Sequence, residues 1–305
     1  MTSLLRPARS ALVATAFLLC SLPGFAPAQG TGGTLQKVAD KGTIVVGYHE
    51  STPPFTYLTP DGEIMGYSID FARSIVEAIK QELQRPDLPV KMVPFTVQSR
   101  LSIVQNGTAD LSCGATTHTV ERQQQVAFSN TIYIAGSRLM TRKDSGIRDF
   151  SDLTDKTVAT FARSTSEKML QKMNAEQGRR IHIVSTFDRG ETPLSVLQAG
   201  QADAYMMDDA LLHATVLQTW RPEDWIVTGT PQSFEAYGCI LRKDDPAFKA
   251  VVDREIARLM ISGEAEVLHR KWLQSPIPPN GDNLGMPVSD AMRALYKAPN
   301  DKPFY

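Results

Sequence analysis

Residues 43–48, TIVVGY, form a continuous apolar run, and DFARSIVEAIKQEL (70–83) follows with an apolar side chain at every fourth position from Phe71. The first pattern predicts a buried β-strand and the second an amphipathic helix. VKMVPF (90–95) and ADLSCG (109–114) are predicted to be further short strands. Alternating strands and helices are typical of α/β proteins, so this stretch predicts an α/β fold.

The same alternation restarts after residue 140. KTVATF (156–161), HIVSTF (182–187) and ADAYMMD (202–208) are predicted strands, and the stretches between them are predicted helices. At about 150 residues per domain, a chain of 305 residues also predicts roughly two domains. Near the C-terminus, AMRALY (291–296) is predicted to be an extended segment that covers the surface.

Composition restricts the function. The net charge of −1 offers no basic surface of the kind that non-specific nucleic-acid binding needs, so we expect no nucleic-acid partner. Hydrophobic residues make up 42% of the chain, which is enough for a large core. Only one run is strongly apolar, and this excludes a polytopic membrane protein.

That apolar run lies at the N-terminus. Two arginines precede ALVATAFLL (11–19), and APA (26–28) offers small residues, a pattern that predicts a secretory signal cleaved after about Ala28. A membrane anchor is the alternative, but the run is well short of the ~20 residues that a spanning helix needs. Cys20 leaves lipoprotein processing open, although Leu19 stands where a small residue is expected. We therefore expect an exported, periplasmic protein.

Cleavage would leave two cysteines, Cys113 and Cys239. Two cysteines in an exported protein favour a disulfide between them, and two buried free thiols are the alternative. Neither cysteine belongs to a C-x-x-C pair, and the histidines are scattered along the chain. We therefore expect no metal site and no cofactor.

Polar residues follow the predicted strands at the positions where open α/β sheets bind ligands. Thr117 and Arg122 come after one strand, Asp208 ends another, and Ser164 and Thr165 start a helix. A guanidinium for a carboxylate, a helix N-terminus for an anion and an aspartate for an ammonium together match a free amino acid. The alternatives are helix-capping roles for Ser164 and Asp208 and a surface position for Arg122.

Several longer motifs resemble one family. They are GYSIDF (66–71), RLSIVQNGTADLSCG (100–114), TTHTVERQQQVAFSNTIY (116–133), GQADAYMMDDALL (200–212) and EAYGCILRKDDP (235–246). In these motifs the chain resembles the periplasmic solute-binding proteins of polar amino acid ABC transporters (family 3), most closely the glutamate/aspartate-binding members. The resemblance runs from about residue 34 to the C-terminus.

The resemblance implies the type II periplasmic binding protein fold, in which two α/β lobes are joined by two hinge strands and close on an amino acid. The hinge strands would lie near residues 135–141 and 234–241. This topology would bring Cys239 beside the strand that carries Cys113. The implied limits are residues 29–138 with 238–305 for lobe 1 and residues 139–237 for lobe 2.

The family also implies roles for individual residues. Arg122 corresponds to the clamp on the α-carboxylate of the ligand, and Thr117 would contact the carboxylate or the ammonium. Thr165 and the backbone at its helix start would hold the carboxylate from lobe 2, while Asp208 would pair with the ammonium. Arg100 corresponds to a basic residue that contacts the acidic side chain of the ligand.

Four positions depart from the glutamate/aspartate binders. His49 stands where they carry Arg, Val97 and Ala115 stand where they carry Ser, and Arg189 stands where they carry His. Arg189 either restores the lost positive charge from lobe 2 or is an exposed loop residue beside Asp188. We expect His49 to be neutral, because neighbouring arginines disfavour its protonation. Glutamate or aspartate is the first expectation for the ligand, and asparagine or glutamine is the second.

The function expected on these grounds is non-catalytic. A monomer would bind an amino acid and deliver it to an inner-membrane ABC transporter permease. The rival is a cyclohexadienyl dehydratase-like enzyme on the same scaffold, which needs an acid or base over its substrate, and Glu50 is the candidate. The sensory domain of a receptor is disfavoured because no second apolar segment occurs before Tyr305.

Overall fold

The computed structural model describes residue 2 and residues 33–188 and 190–303. The predicted signal sequence with Cys20, and also Arg189, lie outside the described residues. Within the described ranges, no helix combines the length and the apolar character needed to span a bilayer.

Strands alternate with helices in the first part of the chain, as the sequence predicts. The apolar stripe after residue 70 is the core-facing side of the second helix, where Phe71, Ile75 and Ile79 are fully buried. In chain order the elements are α1 (Thr34–Lys41), β1 (Ile44–His49), β2 (Ser51–Thr52), β3 (Thr56–Leu58), β4 (Ile64–Met65), α2 (Tyr67–Glu82), β5 (Val90–Phe95), α3 (Ser102–Gln105) and β6 (Leu111–Ser112).

The rest of the chain begins with a long strand and ends with three helices. Short 3₁₀ turns occur at Arg122–Gln124, Phe150–Leu153 and Pro222–Asp224. The elements are β7 (Ala127–Arg142), β8 (Thr157–Phe161), α4 (Thr165–Gln177), β9 (His182–Thr186), α5 (Pro193–Gln198), β10 (Ala204–Asp208), α6 (Asp209–Leu217), β11 (Trp225–Thr228), β12 (Phe234–Leu241), α7 (Pro246–Ile261), α8 (Glu264–Leu273) and α9 (Asp290–Lys297).

The long strand β7 connects the two halves of the main sheet, whose order is β5-β1-β6-β12-β7-β10-β8-β9, with β11 also paired to β7. β1 runs parallel to β5 and β6, and β8 runs parallel to β9 and β10. Residues 127–136 of β7 pair with β12, and residues 137–142 pair with β10 and β11. The predicted α/β class is therefore confirmed. We call the half with β1, β5 and β6 lobe 1, and the half with β8, β9 and β10 lobe 2.

Buried apolar side chains form separate clusters in the two lobes. Val46 and Phe248 belong to the largest cluster, which lies mostly in lobe 1 and also includes Ala210 and Leu211 of α6, and Val158 and Leu170 belong to a cluster in lobe 2. Each lobe therefore has an apolar core of its own. Burying one such side chain contributes about 1.5–3 kcal/mol to stability. Helix α7 packs on α2 and β7, which shows that the chain returns to lobe 1 after β12.

A disulfide joins Cys113 to Cys239, as the sequence favours. The pairing register of the sheet places Ile240 of β12 opposite Ser112 of β6, so the two cysteines stand on neighbouring strands. Both are fully buried. The bond closes a loop between residues separated by 126 positions, and it ties the last strand of the main sheet to the first part of lobe 1.

The prediction for the C-terminal segment is wrong. AMRALY (291–296) lies within helix α9 and is not extended. The hydroxyl of Ser289 caps this helix by accepting a hydrogen bond from the N–H of Met292 at 3.1 Å. Met292, Leu295 and Tyr296 are buried on one side, so spacing at i, i+3 and i+4 is the signal for a helix here.

Candidate ligand-binding site

Asp208 lies at the point where β7 passes from one lobe to the other. It is the last residue of β10 and pairs with Ser137 of β7. Its side chain is almost completely buried, and Oδ2 accepts a hydrogen bond from the hydroxyl of Tyr237. Oδ1 has no hydrogen-bond partner among the described residues. Asp208 occupies the N-cap position of α6 without a side-chain capping bond, so this carboxylate is not used by its own helix.

The environment of Asp208 favours its protonated form. Burial raises the pKa of the carboxyl well above its usual range, and the neighbouring charge of Glu235 raises it further. The hydrogen bond from Tyr237 and the charge of Arg122 act in the opposite direction. A cation that reached this carboxylate would therefore relieve an unfavourable concentration of negative charge.

Arg122 approaches the same region from lobe 1. It begins the 3₁₀ turn after β6, and its Nη1 donates to the carbonyl oxygen of Thr117 at 2.8 Å. Thr117 forms an isolated bridge with Tyr237, which brings the Arg122 side of the site against β12. Burial lowers the pKa of Arg122, and the carboxylates of Glu235 and Asp208 oppose that effect. Arg122 is half-buried and close to these carboxylates, so it is not a freely exposed surface group.

The N-terminus of helix α4 forms the lobe 2 side of the cleft. Ser164 is its N-cap and accepts a hydrogen bond from the N–H of Glu167 at 3.0 Å, so the capping role that the sequence left open is present. Thr165 is the first helical residue and is partly exposed. It lines a cleft of about 390 Å³ together with Arg122 and Glu235. A carboxylate bound by Arg122 would thus lie close to the N–H groups of this helix start.

Arg100 is a second buried guanidinium in the region. The residue is 8% exposed, and Nη2 donates to the carbonyl oxygen of Arg163 in lobe 2 at 3.4 Å. Burial and the charge of Arg122 lower the pKa of Arg100, while Asp188 and Asp208 raise it. The charge of Asp208 therefore acts on both arginines, while Asp188 acts on Arg100 and Glu235 acts on Arg122.

The carboxylate of Asp188, in lobe 2, contacts two residues of lobe 1, His49 and Val97. Both differ from the residues that the glutamate/aspartate binders carry at these positions. Oδ2 of Asp188 accepts the N–H of Val97 at 2.5 Å and lies 3.5 Å from Nε2 of His49. Burial acts to raise the pKa of Asp188, but the contact with His49 and the N–H of Val97 outweigh it, so the pKa is lowered. The structure thus places a carboxylate beside His49, a contact that the sequence reasoning did not include.

This architecture belongs to a known protein family. Residues 44–275 match the family model of the bacterial extracellular solute-binding proteins, family 3. The chain belongs to this family.

Relatives within and near the family agree with the fold. The glutamate/aspartate import solute-binding protein of Escherichia coli (strain K12) is 48% identical over 90% of this chain and 91% of its own length. The L-glutamate/L-aspartate-binding protein of Pseudomonas aeruginosa is 45% identical over 95% of this chain and 96% of its own length. Among solved structures, an ancestral arginine-binding protein bound to arginine is 27% identical, with a TM-score of 0.66 over 76% of this chain and 98% of that chain.

Membership in the solute-binding family also bears on the enzymatic rival. The curated relatives are named as solute-binding proteins and not as enzymes. Glu50, on which the enzymatic reading depends, is exposed. The fold class is confirmed as the two-lobed type II architecture of these binding proteins.

Sequence reasoning missed three polar residues of the candidate site. Tyr237 and Glu235 lie inside the buried strand β12, and Asp188 was considered only as a neighbour of Arg189. The sequence FEAYGCIL (234–241) carries a signal for Glu235. A glutamate within an otherwise apolar strand needs polar partners when it is buried, so its presence indicates a polar site. Ala115, which was predicted as a site residue, is half-buried and packs against the lobe 1 core.

Proposed function

We propose that this chain binds glutamate or aspartate between its two lobes and delivers the ligand to an ABC transporter permease in the inner membrane. The observation that carries the proposal is the presence of the half-buried cation Arg122 and the buried carboxylate Asp208 beside the strand that crosses between the lobes. These groups are complementary to the two charges that every free amino acid carries. The names of the two bacterial relatives at 45% and 48% identity support an acidic ligand.

Five residues would take part in binding the amino acid backbone. The guanidinium of Arg122 would bind the α-carboxylate from lobe 1, and Thr117 holds that guanidinium through its carbonyl oxygen. Thr165, next to the cap at Ser164, would contact the same carboxylate from lobe 2. The free oxygen of Asp208 would accept the ammonium. Because the ligand would contact both lobes, it would stabilise their closed arrangement.

The binding of the ligand side chain would depend on Arg100 and His49, with Arg189 as a third cation whose role stays a prediction. Arg100 is buried and close enough to Arg122 for the two charges to interact, so a distal carboxylate that extended toward Arg100 would meet a cation. Asp188 already lies against His49 and near Arg100, so part of this positive charge is balanced within the protein. That observation keeps asparagine and glutamine as the second candidate ligands, because an amide does not need a full uncompensated cation.

We further propose that the lobes span residues 29–138 with 238–305 and residues 139–237, and that the exported chain works as a monomer in the periplasm. The predicted signal at the N-terminus and the disulfide support an oxidising compartment outside the cytoplasm. N-terminal sequencing of the exported protein checks the proposed cleavage after about Ala28.

A thermal-shift screen of the ligand-stripped protein against all twenty amino acids tests the function. A ligand at 100 times its Kd adds about 2.7 kcal/mol to stability, which corresponds to a rise in Tm of roughly 5 °C for a chain of this size. We expect the largest shifts with L-glutamate and L-aspartate and smaller shifts with L-glutamine and L-asparagine. A chain that is not stabilised by any amino acid would contradict the proposal, as would product formation from prephenate or arogenate.

The charge of the side-chain pocket can be tested with Arg100→Gln. We expect this variant to weaken L-glutamate by about 30-fold or more and to weaken L-glutamine much less, because the lost interaction is a buried charge-assisted hydrogen bond. Lys91→Gln is the matched control, since it removes one positive charge from an exposed position on β5. Calorimetry that finds equal losses for both ligands would remove Arg100 from side-chain recognition.

A further inference from the structure

Glu235 is a buried carboxylate on β12, the strand that pairs with the lobe 1 part of β7. It lines the cleft next to Arg122 and Thr165. It pairs with Ala135 of β7, and the residue is only 3% exposed. Two hydroxyls donate to Oε1, that of Ser137 at 3.1 Å and that of Ser233 at 2.5 Å. Oε2 has no hydrogen-bond partner among the described residues. One oxygen of this carboxylate is therefore held by two hydrogen bonds, and the other has no hydrogen-bond partner among the described residues.

The bare oxygen belongs to the same charge cluster as Asp208. Tyr237, which donates to Asp208, is two residues after Glu235, and side chains two apart on a strand point to the same face of the sheet. Ser137 connects the two acids in a second way, because it pairs with Asp208 in the sheet and donates to Glu235. Each carboxylate also interacts with the charge of Arg122.

Two buried carboxylate oxygens without partners are unfavourable unless a proton or a cation neutralises their charge. Arg122 supplies one positive charge, and Nη1 of its guanidinium is bonded to Thr117. Glu235 lines the cleft with Arg122 and Thr165, the side chains that would hold the α-carboxylate. In an α-amino acid the ammonium is attached to the carbon next to that carboxylate, so it would arrive on the side of Asp208 and Glu235.

We propose that Glu235 is a second acceptor for the ligand ammonium, which binds between Oδ1 of Asp208 and Oε2 of Glu235. The assignment rests on the proposed function, since it names a further residue of the same amino acid site. It also gives a physical reason for a glutamate in a buried strand: the serines orient its carboxylate, and the arriving ammonium neutralises it. The site would thereby bind molecules that carry an amino group more tightly than dicarboxylates that lack one.

Calorimetry with a pair of ligands on Glu235→Gln tests this role. Glutamine keeps the shape and the acceptor oxygen that the two serines use, but it removes the charge. We expect L-glutamate to bind about 10- to 100-fold more weakly to the variant, the range expected for loss of a charge-assisted hydrogen bond. Glutarate, which is glutamate without the amino group, is expected to bind no more weakly to the variant than to the wild-type protein. Glu176→Gln, an exposed position on α4, is the matched control and should change neither affinity.

The outcomes separate this assignment from the function on which it rests. If the wild-type protein binds no amino acid, the proposed function fails and Glu235 loses its role with it. If the wild-type protein binds L-glutamate and the variant loses both ligands equally, or loses neither, the role of Glu235 alone is overturned. Should Glu235→Gln not fold, Glu235→Asp keeps the charge but withdraws it by one methylene, and the same selective loss of L-glutamate is expected.

Discussion

Arg122→Ala is expected to abolish the binding of every amino acid to this protein. The substitution removes the only group of the proposed site that pairs with the α-carboxylate through a full positive charge. Deleting one member of a buried, hydrogen-bonded charge pair costs about 2–5 kcal/mol, which is a loss of roughly 30-fold to more than 1,000-fold in affinity. Because all amino acids share the α-carboxylate, the loss should be similar for acidic and amide ligands. Calorimetry with L-glutamate and L-glutamine measures both.

The control for this experiment is Arg254→Ala. Arg254 is an exposed residue of α7 that pairs with Glu82, and exposed ion pairs of this kind contribute about 0–1 kcal/mol to stability. We expect this variant to bind as the wild-type protein does. Retained affinity in Arg122→Ala, or a loss that spares the amides, would show that Arg122 does not hold the group that all amino acids share.

The second large effect concerns stability. Reduction of the Cys113–Cys239 bond frees a loop between residues separated by 126 positions, and closing a loop of that length stabilises a folded chain by about 4–5 kcal/mol. For a protein of this size we expect the Tm to fall by roughly 10 °C. A thermal melt with and without a thiol reductant measures the difference, and thiol titration of the denatured, unreduced protein should detect no free thiol at either position.

The variant Cys113→Ala/Cys239→Ala separates loss of the bond from other effects of the reductant. It should melt near the temperature of the reduced wild-type protein and should no longer respond to reductant. Reactive thiols at both positions in the exported protein, or an unchanged Tm after complete reduction, would show that the bond is absent or does not contribute to stability.

Local sequence patterns were enough for most of the fold. The apolar stripe from Phe71 in α2 and the short apolar runs of β1 and β8 have the periods of a helix and of buried strands, and both are determined within one element. The helix α9 was missed because its polar residues and the preceding proline-rich stretch hide a short apolar face. In the structure that face, formed by Met292, Leu295 and Tyr296, packs in the core.

The candidate site could be predicted only where its residues stand at the ends of elements. Arg122 and Asp208 follow strands, and the position of a residue after a strand can be inferred from sequence. Glu235 and Asp188 depend on contacts between distant segments: the pairing of β12 with β7 directs Glu235 to Ser137, and the loop after β9 carries Asp188 to Val97. Such contacts depend on strand register and on the meeting of two lobes, which no local period encodes.

A crystal structure of the protein with L-glutamate tests the account most directly. The α-carboxylate is predicted to lie against the guanidinium of Arg122 and the start of helix α4, with the ammonium within hydrogen-bond distance of Asp208. A ligand that contacts one lobe only, or one whose ammonium and carboxylate lie away from both Asp208 and Arg122, would contradict the account.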